Sequence, residues 1–366
     1  MDPLAHTLAG ATLAETRLRD WTPRAAPALI LGANAPDLDA ITMFVSRDLS
    51  LGFRRGWTHG VLAMVVLPVV LTLLLLLLDR AVARWRGRVP RARAGPLLAL
   101  STLAVVTHPV LDWLNTYGVR FLMPFDGTWF YGDALFVVDP WVWLLLGASV
   151  VLARSTSPVG AAAWLVLGVA TTSLVTGFEG APAATRLLWC AGVAAIVWLR
   201  LAGRWTGRIP RLATLCLSAV ALYIVVMVAA SLLAERQVAA WLAERDDTPV
   251  EIMASPAPGN PLLRHIVVAD AEHYHFLEVD WLSRDPIRIS RPSIERGGEN
   301  PVTRAAMTAA HVWGLAIWTR FPAYRIEETK DGYRVSISDV RYVWRAGSGL
   351  GAAVVELDRD LKVRSR

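Results

Sequence analysis

The chain has 366 residues, of which 54% are hydrophobic, and its mean hydropathy is +0.42. This composition excludes an ordinary soluble protein and predicts an integral membrane protein with room for a helical bundle and a second domain. The net charge of +6 does not indicate nucleic acid binding, because arginines beside apolar spans orient membrane proteins and contact anionic lipid headgroups. Cys190 and Cys216 each fall in a predicted span, which favours packing residues over a disulfide or a metal pair.

Apolar segments with helical character follow one another through residues 1–233. The first, 4–18, is short for a span and predicts a half-buried or re-entrant helix, and the second, 25–44, is interrupted by Asn34-Ala-Pro-Asp-Leu-Asp39. Further spans are predicted at 61–78, 97–114, 135–152, 160–176, 187–201 and 212–233. The predicted fold is therefore an α-helical integral membrane bundle of about six to eight helices, with a first part at 1–125 and further spans in 126–233.

The chain changes character after Leu233. Residues 234–261 predict a polar juxtamembrane helix followed by a linker rich in Pro and Gly, and 262–366 predict a β-rich or α+β domain. Strands are expected at 265–270, 273–281, 324–328, 333–338 and 352–357, with a helix near 302–317. His273 and His275 would share one face of a strand, which permits a metal pair, but we expect ordinary surface or packing histidines there.

The arginine-rich loops predict the orientation of the bundle. Residues 80–93 form the most basic loop, so we expect this loop in the cytoplasm. Alternation of the spans then places Arg154 and the 200–211 cluster inside, and the loop around 126–133 outside. The C-terminal domain is predicted to be extracytoplasmic by the same count. The arginines of the 47–55 loop would lie outside, against the rule.

One polar motif interrupts the apolar run 97–114, namely Thr107-His108-Pro109-Val110-Leu111-Asp112. His108 and Asp112 are one helical turn apart, so both side chains lie on the same face of the helix. Ionisable side chains inside a span normally face a protein or water cavity and are candidates for function. The pair offers a nitrogen and an oxygen donor to one cation, or forms a structural hydrogen bond that joins helices.

Four segments bring potential ligands to the same outer side of the membrane. These residues are His6, Asp37, Asp39, His59, His108 and Asp112. Imidazoles and carboxylates together suit zinc or a similar divalent ion. Structural alternatives exist, such as a helix start for His6, a turn cap for either aspartate beside Pro36, and an interfacial position for His59. Asp37 and Asp39 would diverge on a helix but could face one site from an extended turn, so the sequence does not choose between them.

The order and context of these residues resemble the YdjM/YbcI/YfhP-like membrane-bound metal-dependent hydrolases. The matching pattern is His6, Pro36-Asp37-Leu38-Asp39, Thr58-His59 and His108-Pro-Val-Leu-Asp112, followed by Gly118 and Pro124. More remotely, the series is similar to part of the zinc set in the zinc-dependent phospholipases C and single-strand nucleases. The resemblance implies that Asp37 or Asp39 holds one zinc with His59, His108 and Asp112. It further implies a second zinc at His6 and a bridging Asp112, although the later His-and-Glu segment of those soluble enzymes has no clear copy here.

The resemblance implies metal-assisted hydrolysis, with one or two zinc ions, or manganese, in the site. A bound ion would lower the pKa of water to about 7, and the carboxylate left over from Asp37 and Asp39 could orient or deprotonate that water. A site at the outer face of the bacterial cytoplasmic (inner) membrane would meet lipid headgroups. A phosphoester of a lipid or a lipid-linked molecule is therefore the expected substrate, and membrane lipids are the expected partners. Arg54, Arg55 and Arg120 could bind phosphate or anchor the protein at the interface.

Two other classes of function are compatible with the sequence. The polar cluster could form an ion or proton pathway, but its charges crowd one leaflet and no inverted repeat is visible. The protein could also be a non-catalytic scaffold in which a structural metal pins the N-terminal helices. A closed tetrahedral site would favour the scaffold, and an open site with room for phosphate would favour the hydrolase.

Overall fold

The computed structural model describes residues 1–205, 207–245, 247, 249–342 and 350–364. The chain divides into two compact units. The first unit comprises Met1–Leu38, Arg55–Ala230 and Ser255–Pro261, and the second comprises Asp39–Arg54, Ser231–Ala254 and the chain from Leu262 onward. Residues 206, 246, 248, 343–349 and 365–366 of the domains predicted from the sequence lie outside the described residues.

The first unit is a bundle of α-helices. In chain order these are α1 (Pro3–Glu15), α2 (Ala25–Gly32), α4 (Val61–Trp85), α5 (Ala94–Trp113), α6 (Pro140–Arg154), α7 (Pro158–Gly177), α8 (Ala183–Leu201) and the first part of α9 (Ile209–Ala243); α3 (Arg47–Phe53) lies in the second unit. Short 3₁₀ helices occupy Arg17–Asp20 and Ala35–Phe44. The described chain thus has the helical bundle that the sequence predicts.

Five helices of the described chain are long and apolar enough to cross a membrane, namely α4, α5, α7, α8 and α9. At about 1.5 Å per residue, the 20 residues of α5 extend about 30 Å, the thickness of a bilayer's hydrocarbon core. Helix α6 has 15 residues and is shorter than the span predicted at 135–152, because Asp139 caps its first turn at Pro140. The predicted span at 212–233 and the polar helix after it form one continuous helix, α9.

Helices α1 and α6 begin in the same way. Asp2 accepts hydrogen bonds from the backbone N–H groups of Leu4 and Ala5, and Asp139 does the same for Trp141 and Val142. In each case a proline follows the capping aspartate, where its missing N–H costs no helical hydrogen bond. The Asp2 cap fixes the start of α1 and so helps to position His6 in its second turn.

Helix α2 packs between α1 and α5 in a core that includes Leu29, Leu97 and Leu100, which are fully buried. Helices α2 and α5 approach closely at Gly32, because a Cβ there would lie 2.8 Å from the Cβ of Ala104. This close approach brings the end of α2 against the face of α5 that carries the polar motif.

Two sheets make up most of the second unit, although residues Ser255–Pro261 of the β1–β2 hairpin belong to the first unit. The strands are β1 (Glu251–Ala257), β2 (Asn260–Ala269), β3 (His273–Asp280), β4 (Ile287–Glu295), β5 (Pro322–Thr329), β6 (Gly332–Asp339) and β7 (Ala352–Asp358), in sheets of order β1-β2-β3-β4 and β5-β6-β7. The pairs β2–β3, β3–β4, β5–β6 and β6–β7 are antiparallel. Together with the helices α10 (Pro301–Met307) and α11 (Trp313–Trp318), these sheets form the β-rich domain that the sequence predicts.

The first sheet buries both faces, as alternation along β2 shows. Ile266 and Val268 pack with the C-terminal part of α9, including Val238, whereas Val267 packs on the other face with Phe276 and Phe321. Each face of the sheet therefore has its own apolar core within this unit.

The structure differs from the sequence prediction around the expected linker. The residues predicted as a Pro/Gly-rich linker belong to β1 and β2, which are joined by a two-residue turn at Pro258 and Gly259. Gly259 has φ +67°, a left-handed conformation that glycine adopts without steric cost, so the glycine marks a hairpin turn. The helix predicted at 302–317 is divided into α10, a 3₁₀ turn at Ala310–Val312, and α11.

Candidate metal centre

Four ligand-bearing residues of the first unit converge on one point. Asp37, His59, His108 and Asp112 each offer one atom, and these four atoms all lie within 4.8 Å of one another. Asp37 comes from the 3₁₀ helix after α2, and His59 from the turn just before α4. His108 and Asp112 lie one turn apart on α5, as the sequence predicts for the two side chains.

The distances within the group define a compact site around the carboxylate of Asp112. Its Oδ2 atom lies 3.2 Å from Nε2 of His59 and 3.6 Å from Nε2 of His108. Nε2 of His108 is also 3.7 Å from Oδ1 of Asp37. The side chains of His59, His108 and Asp112 are almost fully buried, whereas that of Asp37 is 15% exposed.

The orientation of His108 follows from a hydrogen bond to backbone. Nδ1 of His108 lies 2.7 Å from the carbonyl oxygen of Ala33, at the end of α2. Because a carbonyl oxygen only accepts, Nδ1 carries the proton, and Nε2 presents its lone pair to the two carboxylates. Nε2 is buried and has no hydrogen-bond partner among the described residues. A buried acceptor that faces two carboxylates is well suited to a cation.

The other oxygen of Asp112 faces a different set of groups. Nη2 of Arg55 lies 2.9 Å from Oδ1, and Nε2 of His6 lies 3.2 Å from it. The backbone amine of Met1 also contacts this oxygen. The ring of His6 stacks on that of His108, with centroids 3.6 Å apart. Oδ1 of Asp112 thus contacts the guanidinium of Arg55, whereas Oδ2 lies near the imidazoles of His59 and His108.

Arg55 is held in place by several contacts. Its Nη1 donates to Oδ1 of Asn115 at 2.7 Å, and its guanidinium lies 4.6 Å from the centroid of the Tyr117 ring. Only 4% of its surface is exposed. The sequence suggested phosphate binding or interfacial anchoring for this arginine, whereas the structure shows a buried partner of Asp112. Asn115 and the carbonyl of Ala33 had no sequence signal, because asparagine is common just after a helix and every residue carries a backbone carbonyl.

Asp39, the other member of the predicted pair, is not in the four-residue group. It belongs to the second unit, where Oδ1 of its carboxylate lies 3.6 Å from Nε of Arg54. Its side chain is buried, so this contact partly compensates a charge that burial would otherwise disfavour.

The second histidine pair lies on β3 in the second unit. The rings of His273 and His275 are 6.0 Å apart, and Nε2 of His275 lies 2.6 Å from Oδ2 of Asp270. Burial raises the pKa of Asp270, but hydrogen bonds from His275 and from the backbone N–H groups of His273 and Glu272 outweigh it and lower the pKa to about 2. Within the described residues, these side chains do not form a group of three ligands.

The donor set in the first unit fits a divalent metal ion. Two imidazole nitrogens and two carboxylate oxygens are ligands that zinc accepts, and manganese accepts similar sets. The buried lone pair of His108 offers a ligand atom to an ion. The carboxylate of Asp112 supplies the charge compensation that a buried site requires. The group could therefore hold a metal ion.

Comparisons with known proteins match the N-terminal half of the chain. The family model of the YdjM inner membrane protein matches residues 1–183, half of the chain and all of the residues that form the candidate centre. The uncharacterized protein YfhP of Bacillus subtilis strain 168 is 25% identical over 152 residues, an alignment that covers 39% of this chain and 43% of that relative. No solved structure matches the chain. The chain therefore belongs to the YdjM inner membrane protein family, and its five helices that are long and apolar enough to cross a membrane agree with an integral protein of the inner membrane.

Proposed function

We propose that the protein is a membrane-bound, metal-dependent hydrolase that cleaves a phosphoester of a lipid or lipid-linked substrate. The observation that carries the proposal is the buried Nε2 of His108, which has no hydrogen-bond partner among the described residues and faces the carboxylates of Asp37 and Asp112. A purely structural polar pair would pair this nitrogen with a donor instead.

Asp37, His59, His108 and Asp112 are the residues that would hold the ion. A divalent ion bound there would lower the pKa of water, so that hydroxide is available as the nucleophile at neutral pH, and would polarise the phosphoryl group. The hydrogen bond from His108 to the carbonyl of Ala33 holds the imidazole in the tautomer that ligation requires.

The exposure of the ligands favours a catalytic site over a closed structural one. His59, His108 and Asp112 are buried, but the side chain of Asp37 is 15% exposed, so the group is reached from the side of Asp37. Structural zinc sites are closed, and catalytic sites keep a position open to water. We therefore expect water and substrate to reach the ion beside Asp37.

A single ion fits the charges of the site better than two. The Oδ1 side of Asp112, where a second ion would have to bind, already contains the guanidinium of Arg55 at 2.9 Å. The fixed positive charge of Arg55 can take the place of a second metal ion. Repulsion between the guanidinium and such an ion would oppose binding of the ion at this oxygen. We therefore propose one zinc or manganese ion per chain, with His6 packing against His108.

The membrane setting supports a lipid substrate. His108 and Asp112 lie on α5, a candidate membrane span, and His59 directly precedes α4, another such span. Residues on these helices that face away from the bundle, such as Leu73 and Val110, are apolar and exposed. A substrate that is itself embedded in the bilayer reaches such a site without leaving the membrane.

Activity measurements test this proposal. The purified protein in detergent with added zinc or manganese is assayed on a phosphodiester and on phospholipid, next to Asp37→Asn and the matched surface control Asp126→Asn. Loss of a ligand is expected to lower kcat/KM at least about 100-fold, since even groups that only orient ligands contribute 10- to 100-fold. Asp126 is exposed in a loop and its variant should retain full activity. Equal activity of Asp37→Asn and wild type would refute the assignment.

A further inference from the structure

The first unit also contains a cavity that is not lined by the four candidate metal ligands. It has a volume of about 650 Å³ and lies among α1, α6, α7 and α8. Sites for small organic ligands typically have volumes of about 300–1,000 Å³. The walls are mostly apolar and include the rings of Trp143, Trp164 and Trp189. The proposed hydrolase activity assigns no role to this cavity.

The cavity exists because α7 and α8 pack loosely on α6. In α7 Val175 is buried, while the other described residues of this helix are half-buried or exposed. Gly147 of α6 and Gly168 of α7 both line the cavity, and a Cβ at either position would meet no atom within 4 Å. Leu165 and Val169, on the same wall, are 66% and 58% exposed. The cavity is therefore a groove that opens sideways, toward the acyl chains of a surrounding bilayer.

The length of the groove matches one leaflet. On α8 its lining runs from Trp189 to Leu201, which at about 1.5 Å per residue corresponds to about 18 Å. The hydrocarbon core of a bilayer is about 30 Å thick, so one leaflet contributes about 15 Å. A single extended acyl chain is an occupant of this length.

The groove is polar at one end. Arg200 is the charged residue among its described lining residues, and it lies there beside Ser155. Its Nε donates to Oγ of Ser155 at 2.9 Å, and its Nη2 donates to the carbonyl oxygen of Ser155 at 2.9 Å. These bonds fix the guanidinium at the mouth of the groove. A guanidinium has five N–H donors in a planar fork that suits phosphate oxygens, so donors remain for a ligand.

We propose that this groove binds one anionic phospholipid, with an acyl chain along α7 and α8 and the phosphate at Arg200. An apolar channel of one leaflet's length with a cation at its end matches the amphipathic shape of such a lipid. The site is separate from the metal ligands, and lipid bound there supports the loosely packed α7 and α8. The proposal does not depend on the hydrolase activity.

The test measures lipid retention by native mass spectrometry. Wild-type protein in detergent is equilibrated with phosphatidylglycerol and phosphatidylcholine of identical acyl chains, and the bound lipid is counted. Gly168→Leu fills the groove, and Ala170→Leu, at an exposed position of the same helix outside the lining, is the matched control. Arg200→Gln removes the charge and keeps a polar group near Ser155, and Arg200→Lys restores the charge.

We expect wild type and Ala170→Leu to retain one phosphatidylglycerol and to prefer it to phosphatidylcholine at least about tenfold, because the choline cation of phosphatidylcholine offsets the phosphate charge that Arg200 would bind. Gly168→Leu should lose the retained lipid, and Arg200→Gln should lose the preference, while Arg200→Lys keeps most of it. Size-exclusion profiles identify any variant that fails to fold. Equal retention of the two lipids by wild type would overturn the proposal, as would full retention by a folded Gly168→Leu variant.

Discussion

The charge balance at the metal centre can be tested by removing one cation. Arg55→Gln keeps a polar group that can reach Asn115 but removes the guanidinium that lies 2.9 Å from Oδ1 of Asp112. In the absence of metal, Asp112 then remains as a buried carboxylate without its main counter-ion. Breaking a buried ion pair on one side costs about 3–5 kcal/mol, and the contacts from His6 and His59 favour the lower end, about 3 kcal/mol.

A bound ion should reduce that cost. A metal ion present at about 100 times its dissociation constant stabilises the folded protein by about 2.7 kcal/mol. Because the ion and Arg55 both compensate Asp112, the ion should stabilise Arg55→Gln more than it stabilises wild type. The decrease in the free energy of unfolding caused by Arg55→Gln is therefore expected to be at least about 1 kcal/mol smaller with zinc than with a chelator.

The assay is chemical unfolding of the detergent-solubilised protein, for wild type and variant, each with zinc and with a chelator. Arg54→Gln is the matched control, because Arg54 contacts Asp39 in the second unit and should show the same change under both conditions. An Arg55→Gln effect that is identical with and without zinc would refute the view that Arg55 and the ion share Asp112.

Two further predictions concern the second unit. Asp339→Ala should lower the free energy of unfolding by about 3–5 kcal/mol, because it removes the carboxylate that lies 2.7 Å from the buried guanidinium of Arg341. Glu356→Ala breaks an exposed ion pair and should lower it by at most about 1 kcal/mol. Hydrogen exchange of β6 measures both effects. The pKa of Asp270 is lowered to about 2, so its ionised form stabilises the fold above about pH 4 and this contribution is lost as the pH falls toward 2. Because this carboxylate is 36% exposed, we expect only about 1 kcal/mol, measured as a difference between wild type and Asp270→Asn in urea unfolding at pH 5. This difference should fall to a minor fraction at pH 2, where the carboxyl is about half protonated in the folded protein, and a difference as large at pH 2 as at pH 5 would contradict the assignment.

The central ligands could be predicted because polar residues inside apolar segments need a partner. His108 and Asp112 stand out in α5 for this reason, and helical geometry alone places them on one face. The choice between Asp37 and Asp39 depends on how the 3₁₀ helix Ala35–Phe44 is placed, which is a tertiary property. The sequence therefore offered the pair, and the structure brings Asp37 to the other ligands.

Other features had no local signal. Arg55 adopts a left-handed backbone conformation, with φ +53°, and is buried by Asn115 and Tyr117, contacts that do not follow from the composition of its loop. Strand β4 begins with an alternation at Ile287 and Ile289, but Arg291 and Pro292 interrupt it, so the sequence pattern is shorter than in β2 and β3. Strand β1 was hidden by the prolines beside the turn at Gly259, which resemble a linker in sequence.

The metal content of the purified protein tests the central claim most directly. Elemental analysis of wild type, His108→Ala and Asp112→Ala, with Asp126→Ala as the surface control, counts the ions held per chain. We predict about one zinc or manganese per chain in wild type and in the control, and none in the two ligand variants, since each substitution removes a bond to the ion and Asp112→Ala also removes a negative charge. A folded wild-type protein that binds no metal when zinc and manganese are supplied, or a His108→Ala variant that keeps its ion, would contradict the assignment of these residues as a metal centre.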